Sequence, residues 1–322
     1  MSDSRQMLPA RHPAESFLFL AGPQPVFDGQ NVKTSSGLVI HKVDEAFLKR
    51  LAQKGFTDIA KVAGECAVCI EFAGTDSVTD LLRPVAFHEA LVLATDVRSR
   101  EDSHIILDLS TLQPLGVASE ETFLSRLTTT ASDLPGRGTI LWGHFRDELS
   151  VADINAAEQL LPRVEPFHAA EKFSRVGNAL LFYGNGYNSD NPDLALISFT
   201  TCLESLFSTV EQELSFRLSL RVATFLADEN TKRQELFNEA KEVYSVRSKV
   251  VHGAKIHKNS ETAAIYLVEG VLPKAERLAR RCLARVLQMQ IENLFENSEK
   301  LNMLFDKLIF SNSLTNALRE IR

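Results

Sequence analysis

The apolar positions of this chain change rhythm about halfway along it. Up to residue 164 they come in runs of four to eight: "SFLFL" (16–20), "GLVI" (37–40), "CAVCIEF" (66–72), "HIILDL" (104–109) and "GTILWGHF" (138–145). These runs are short, rich in β-branched and aromatic residues, and bounded by Gly, Asp or Ser, which is the pattern of strands. Between them, helical spacing appears near 44–54, 78–98, 119–132 and 150–162. Ser119 and Ser150 each offer an N-cap, with acids in the first turn that follows. Alternation of this kind predicts a mixed α/β layer domain over residues 1–164.

From Glu165 onward the spacing is almost wholly helical. A first helix is expected over about 166–184, broken by "GNGYNSDNPDL", which reads as a loop. Asn191 then supplies an N-cap, Pro192 the first helical position and Asp193 an acid in the first turn, opening "LALISFTTCLESLFS". A third helix spans about 213–227, and a fourth, about 231–252, stops at Gly253. Helical spacing resumes near 261, is restarted or kinked by Pro273 and continues to about 297. Two short amphipathic tails follow, carrying Leu301, Leu304, Phe305, Leu308 and Ile309. Residues 165–322 therefore read as an all-α, up-and-down bundle, and the whole chain as α+β.

Composition narrows the function classes. With 322 residues and 44% apolar content, the chain has material for two ordinary cores and is not a disordered chain. The net charge of −7 is uneven: residues 1–165 carry 15 Lys/Arg against 23 Asp/Glu, the remainder 20 against 19. Neither half is basic, so a nucleic-acid partner would have to be held by a local patch. Cys66, Cys69, Cys202 and Cys282 make no dense framework, which fits a reducing compartment. No apolar run approaches the roughly 20 residues that span a bilayer, and the first residues carry no signal-like apolar core. The expected setting is cytoplasmic, without a membrane.

One helix carries a conspicuous charge. "EAKEVYSVRSKVVHG" (239–253) has an apolar stripe through Leu236, Ala240, Val243, Tyr244, Val250 and Val251, and Arg247 falls inside it. His252 closes the helix. A guanidinium clamps phosphate, an imidazole moves protons near neutral pH, and the Ser248 hydroxyl lies one turn from the histidine. Such a set suits metal-free RNA cleavage, in which the ribose 2′-OH attacks the adjacent phosphate. The same spacing also suits a buried ion pair from Arg247 to Glu204 or Glu242, with His252 only a cap.

Together, "ISFTTCLESLFS", "SLRVATFLA" and "YSVRSKVVHG" resemble the HEPN family (higher eukaryotes and prokaryotes nucleotide-binding) in its ApeA-like branch, over about residues 170–297. The match runs through Arg247, Ser248, Lys249, Val250, Val251, His252 and Gly253, with Leu203 and Glu204 upstream. Two positions differ: Ser248 stands where many members carry Asn, Asp or His, and Val246 where some carry Lys or Arg. The resemblance implies a metal-independent endoribonuclease, of the kind found in phage defence or toxin–antitoxin systems, needing no cofactor. Arg247 and His252 would be catalytic, Ser248 and Glu204 orienting, and a homodimer would bring two such pairs into one cleft. Residues 1–164 would then sense a trigger or bind a regulatory protein. The alternative is a non-catalytic module that binds RNA, a nucleotide or a protein, with Arg247 structural.

Two further features bear on this. Lys274, Arg277, Arg281 and Arg285 in "PKAERLARRCLAR" share one helix face, readable as an RNA-backbone stripe, with Lys249, or as a solvated face. "ECAVC" lacks further ligands for a metal, and alternation puts Cys66 and Cys69 on opposite sides of a strand. His88, His104, His144 and His168 stand singly. No metal site is expected.

Overall fold

The structure is a computed structural model that describes residues 14–21, 24–53, 66–74, 83–95, 97, 100–108, 113–114, 148–168, 174–189, 191–209, 214–256, 260–311, 313–319 and 321. The strand expected at 138–145 and the helix expected at 119–132 lie outside these residues, as does His144. The described residues fall into two compact units, one ending with the helix at 151–168 and one beginning beyond it.

The first unit is built on a six-stranded sheet. Its strands are β1 (Ala14–Ala21), β3 (Asn31–Lys33), β4 (Leu38–Lys42), β5 (Val68–Gly74), β6 (Arg100–Asp108) and β7 (Gln113–Pro114), in the order β3-β4-β5-β1-β6-β7. A separate two-residue pair joins β2 (Gln24–Pro25) to β8 (Glu148–Leu149). Strands and helices alternate along the chain, yet every pairing in the main sheet is antiparallel. The unit is thus a mixed one of helices and an antiparallel sheet, α+β in character.

Register explains which residues are buried. Leu18 and Ile40 both lie opposite Ile70, so the three form one rung of an apolar face, with Leu38 and Phe72 on the next. Three helices accompany the sheet: α1 (Glu45–Gln53), α2 (Arg83–Ala94) and α3 (Val151–His168), of which α2 packs on β1, β5 and α3. Ser150 caps α3 as expected: its backbone N–H donates to Asp153 Oδ2 at 2.9 Å, and Asp153 N–H donates back to the Ser150 hydroxyl at 3.3 Å. On the opposite sheet face His41 pairs with Glu71 and packs at a tilt against Phe47 of α1, at 4.9 Å between centroids. Cys66 and Cys69 are both buried free thiols.

The second unit is helical. It comprises α4 (Arg175–Tyr187), α5 (Pro192–Phe207), α6 (Leu214–Leu226), α7 (Asn230–Val251), α8 (Ser260–Ile265), a π-helical turn (Tyr266–Val271), α9 (Leu272–Gln288), α10 (Glu292–Phe295), α11 (Ser298–Phe310) and α12 (Leu314–Arg319). α9 is the central element, in contact with α4, α5, α6 and α7, and Ala275, Leu278, Ala279, Cys282, Leu283, Val286 and Leu287 on it are fully enclosed. Asn191 caps α5 by accepting from the N–H groups of Asp193 and Leu194, as its sequence predicts. At the other end of α5, Arg221 donates to the Phe207 carbonyl and to Asn302 Oδ1 (2.7 Å), while Arg175 donates to the Ser208 carbonyl (2.7 Å). Two guanidinium groups thus satisfy a helix terminus whose carbonyls have no partner within the helix.

Two expectations need correction here. The single helix expected at 166–184 is two helices, the end of α3 and α4, so the change of character expected at Glu165 falls inside α3. "YGNGYN" is not a loop: α4 runs through it to Tyr187. There Gly186 lets the α4 backbone approach α5, since a Cβ on it would sit 2.9 Å from the Phe199 ring. Pro273 restarts the helix as expected: α9 begins at Leu272, directly after the π-helical turn. Proline has no N–H for the carbonyl four residues back, and upstream the ladder slips to the wider spacing, with Leu272 N–H donating to the Leu267 carbonyl.

Candidate functional site

The end of α7 follows from local sequence. Gly253 takes a φ of +65°, which a Cβ disfavours, and this left-handed residue reverses the chain. Gly253 N–H donates to the Val250 carbonyl (3.2 Å) and Ala254 N–H to the Lys249 carbonyl (2.8 Å), the paired bonds of a Schellman motif. His252 is the C-cap: its N–H donates to the Ser248 carbonyl at 3.1 Å and its side chain is exposed.

The buried stripe of α7 is Leu236, Ala240, Val243 and Val246. This differs from the expected one at its C-terminal end, where Val250 is half-buried and Val251 exposed. The last turn of α7 runs beyond the packed core, so positions in phase with the stripe lose their cover. Arg247 sits at that transition. Its side chain keeps 22% of its exposure, and its Nη2 lies 3.6 Å from Oε2 of Glu204 on α5. The guanidinium stands 5.8 Å from the Tyr244 ring centre. Its Nε is buried without a hydrogen-bond partner. Burial raises the Tyr244 phenol above its ordinary range, and the Glu204 carboxylate, which accepts its hydrogen bond, raises it further.

Of the sequence-selected residues, the structure therefore joins Arg247 to Glu204 and adds Tyr244, which the sequence presented only as part of an apolar stripe. Ser248 meets His252 through its backbone carbonyl, and no hydrogen bond joins the Arg247 and His252 side chains. The other partner considered for Arg247, Glu242, is used elsewhere: it accepts from Lys274 Nζ at 2.7 Å and from the Tyr266 hydroxyl.

The basic stripe of α9 is largely engaged within the chain. Lys274 pairs with Glu242, and Arg277 with Glu239 at 3.0 Å. Arg285 donates to the Leu226 carbonyl at 3.1 Å and lies over the Phe225 ring. Arg281 is half-buried beside Cys282. Lys249 instead lines a recess of about 230 Å³ with Glu242, Ser245, Val246, Ile256 and Tyr266. That recess was not legible in the sequence, because Tyr266 and Ile256 reach it only through the turns on either side of α8.

Among the described residues no group of three or more His, Cys, Asp or Glu is placed to hold a metal ion, and no helix is long and apolar enough to cross a membrane. Comparison with protein-family models, curated proteins and solved structures found no match.

Proposed function

We propose that the helical unit is a HEPN-type, metal-independent endoribonuclease acting as a homodimer. The observation that carries this reading is the state of Arg247. A guanidinium at the end of the core, partly open to solvent and held by one carboxylate at 3.6 Å, has Nη donors left for an anion. Its preferred guest is a phosphate, which guanidinium groups bind through two N–H donors at once. His252 stands exposed five residues further on, at a helix C-terminus.

In the reaction, the ribose 2′-oxygen attacks the adjacent phosphorus and the bond to the 5′-oxygen breaks, leaving a 2′,3′-cyclic phosphate and a 5′-hydroxyl. A neutral His252 removes the 2′-OH proton, and the protonated His252 of a second copy delivers one to the departing oxygen. Arg247 holds the non-bridging oxygens as charge accumulates on them. Glu204 and Tyr244 fix the guanidinium from one side, and Ser248 supports the turn that carries His252.

The test is incubation of the purified chain with single-stranded RNA in chelator. Cleavage with cyclic-phosphate ends is expected, reduced by at least about 10²-fold in His252→Ala and in Arg247→Ala. Intact RNA with the wild-type chain, together with unchanged growth and RNA when it is expressed in cells, overturns the proposal.

A second reading rests on the Arg247–Glu204 pair itself: a non-catalytic module in which Arg247 ties α7 to α5. It requires Arg247→Ala to lower the stability of the fold sharply and His252→Ala to change neither stability nor RNA.

A further inference from the structure

The recess on α7 has a chemistry of its own. Glu242, Val246 and Lys249 follow one another at helical spacing along a single face, and Tyr266 and Ile256 close it from outside. About 230 Å³ falls short of the ~300 Å³ at which sites for drug-sized ligands begin, so it suits one planar ring system. Val246, Ile256 and the Tyr266 ring give apolar walls, Lys249 a cation and Ser245 a hydroxyl. Tyr266 retains 36% of its exposure, so its ring is accessible.

Glu242 sets the selectivity. Burial pushes its carboxyl up, but the hydrogen bonds from Lys274 and Tyr266 outweigh this and leave it below its ordinary range, hence ionised. Tyr266 donates to Oε1 and Lys274 to Oε2. Each carboxylate oxygen accepts up to two hydrogen bonds, so one lone pair remains on each. Two acceptors side by side match two adjacent N–H donors. Among the RNA bases only guanine offers these on its Watson–Crick edge, at N1 and N2. Adenine and cytosine put an acceptor beside their amino group, and uracil has its N–H between two carbonyl oxygens.

We infer that this recess is a subsite for an unpaired guanine, with the base against Tyr266, its Watson–Crick edge on Glu242 and its phosphate toward Lys249. Unpaired bases are commonly read in this way, by stacking plus hydrogen bonds to that edge. The inference rests on the ribonuclease reading, because the recess shares the last turns of α7 with Arg247 and His252; it makes guanine the base that sets where the strand lies.

The experiment is calorimetric titration of GMP, AMP, CMP and UMP into the purified chain, with RNA cleavage measured on the same protein. GMP is expected to bind at least roughly ten-fold more tightly than UMP. Tyr266→Ala should lower GMP affinity by roughly ten-fold, Tyr266→Phe, which keeps the ring, should retain it, and Lys249→Gln should weaken all four nucleotides alike. Absence of binding, equal affinity for the four, or full GMP affinity in a folded Tyr266→Ala chain overturns the subsite. GMP selectivity without cleavage would leave the subsite standing and remove the nuclease. Cleavage without GMP selectivity would do the reverse.

Discussion

At the scale of single residues, the question is how strongly Arg247 is bound to its own chain. Partly exposed ion pairs contribute about 0–1 kcal/mol, whereas breaking a buried one costs about 3–5 kcal/mol. With both side chains about one-fifth exposed and the charges 3.6 Å apart, the Arg247–Glu204 pair belongs nearer the first class. Glu204→Gln is therefore expected to lower unfolding stability by less than about 1 kcal/mol in urea titrations, while slowing RNA cleavage through a less constrained guanidinium. A loss of 3 kcal/mol or more would make the pair a structural bridge and favour the non-catalytic reading. The sequence exposed Arg247 because a permanent charge in phase with an apolar stripe stands out. It also offered Glu204 as a partner, but it could not choose between Glu204 and Glu242, since that choice depends on which helix α7 meets. Tyr244 was hidden because a tyrosine in an apolar stripe counts as apolar until the partner of its hydroxyl is known.

At the scale of elements, what could be read was what is local. Asn191-Pro192-Asp193 and Ser150 with Asp153 are complete within four residues, and each formed the cap its chemistry dictates. Gly253 ended α7 for the same reason. Gly184 and Gly186 show the opposite case: two glycines of one helix, alike in sequence context, with different surroundings. A Cβ at Gly184 meets nothing within 4 Å, whereas at Gly186 it meets the buried Phe199 ring at 2.9 Å and the Ala195 carbonyl at 3.2 Å. Gly184→Ala is accordingly expected to stabilise the helical unit by about 0.5–1 kcal/mol. Gly186→Ala is expected to destabilise it by about 1–3 kcal/mol, because an enclosed ring has nowhere to move. Denaturant midpoints of the two variants should shift in opposite directions, and shifts of the same sign would refute the close approach of α4 to α5.

At the scale of the whole molecule, the passage from a part with a sheet to a helical part was legible, and the helix that runs through Glu165 was not. Pro166 resembles the first residue of a new helix, a position proline favours. In the structure it falls in the last turn of α3, after Pro162. Polar chemistry inside the helical unit was equally hidden. Glu276 sits on α9, 2% exposed, and accepts hydrogen bonds from the Tyr183 hydroxyl and from Arg280 Nε, each at 2.8 Å. Burial raises its carboxyl above the ordinary range, and Arg280 and Tyr183 only partly oppose this. A carboxyl whose folded value lies above its unfolded one binds its proton more tightly in the folded state. Its stabilising contribution is complete below the unfolded value and is lost as pH rises through the folded one. Glu242 and Glu158 act in the other direction: both are lowered in the fold, so their contributions are present above the unfolded value and fade as the medium is acidified. Glu276→Gln removes the first effect and leaves the second in place. Unfolding curves of the wild type and of this variant, taken from about pH 4 to neutrality, should diverge: relative to the variant, the wild type loses stability as pH rises from about 4.5. Parallel curves would show that Arg280 fully compensates the buried charge, and that the centre of the helical unit carries a neutralised ion pair.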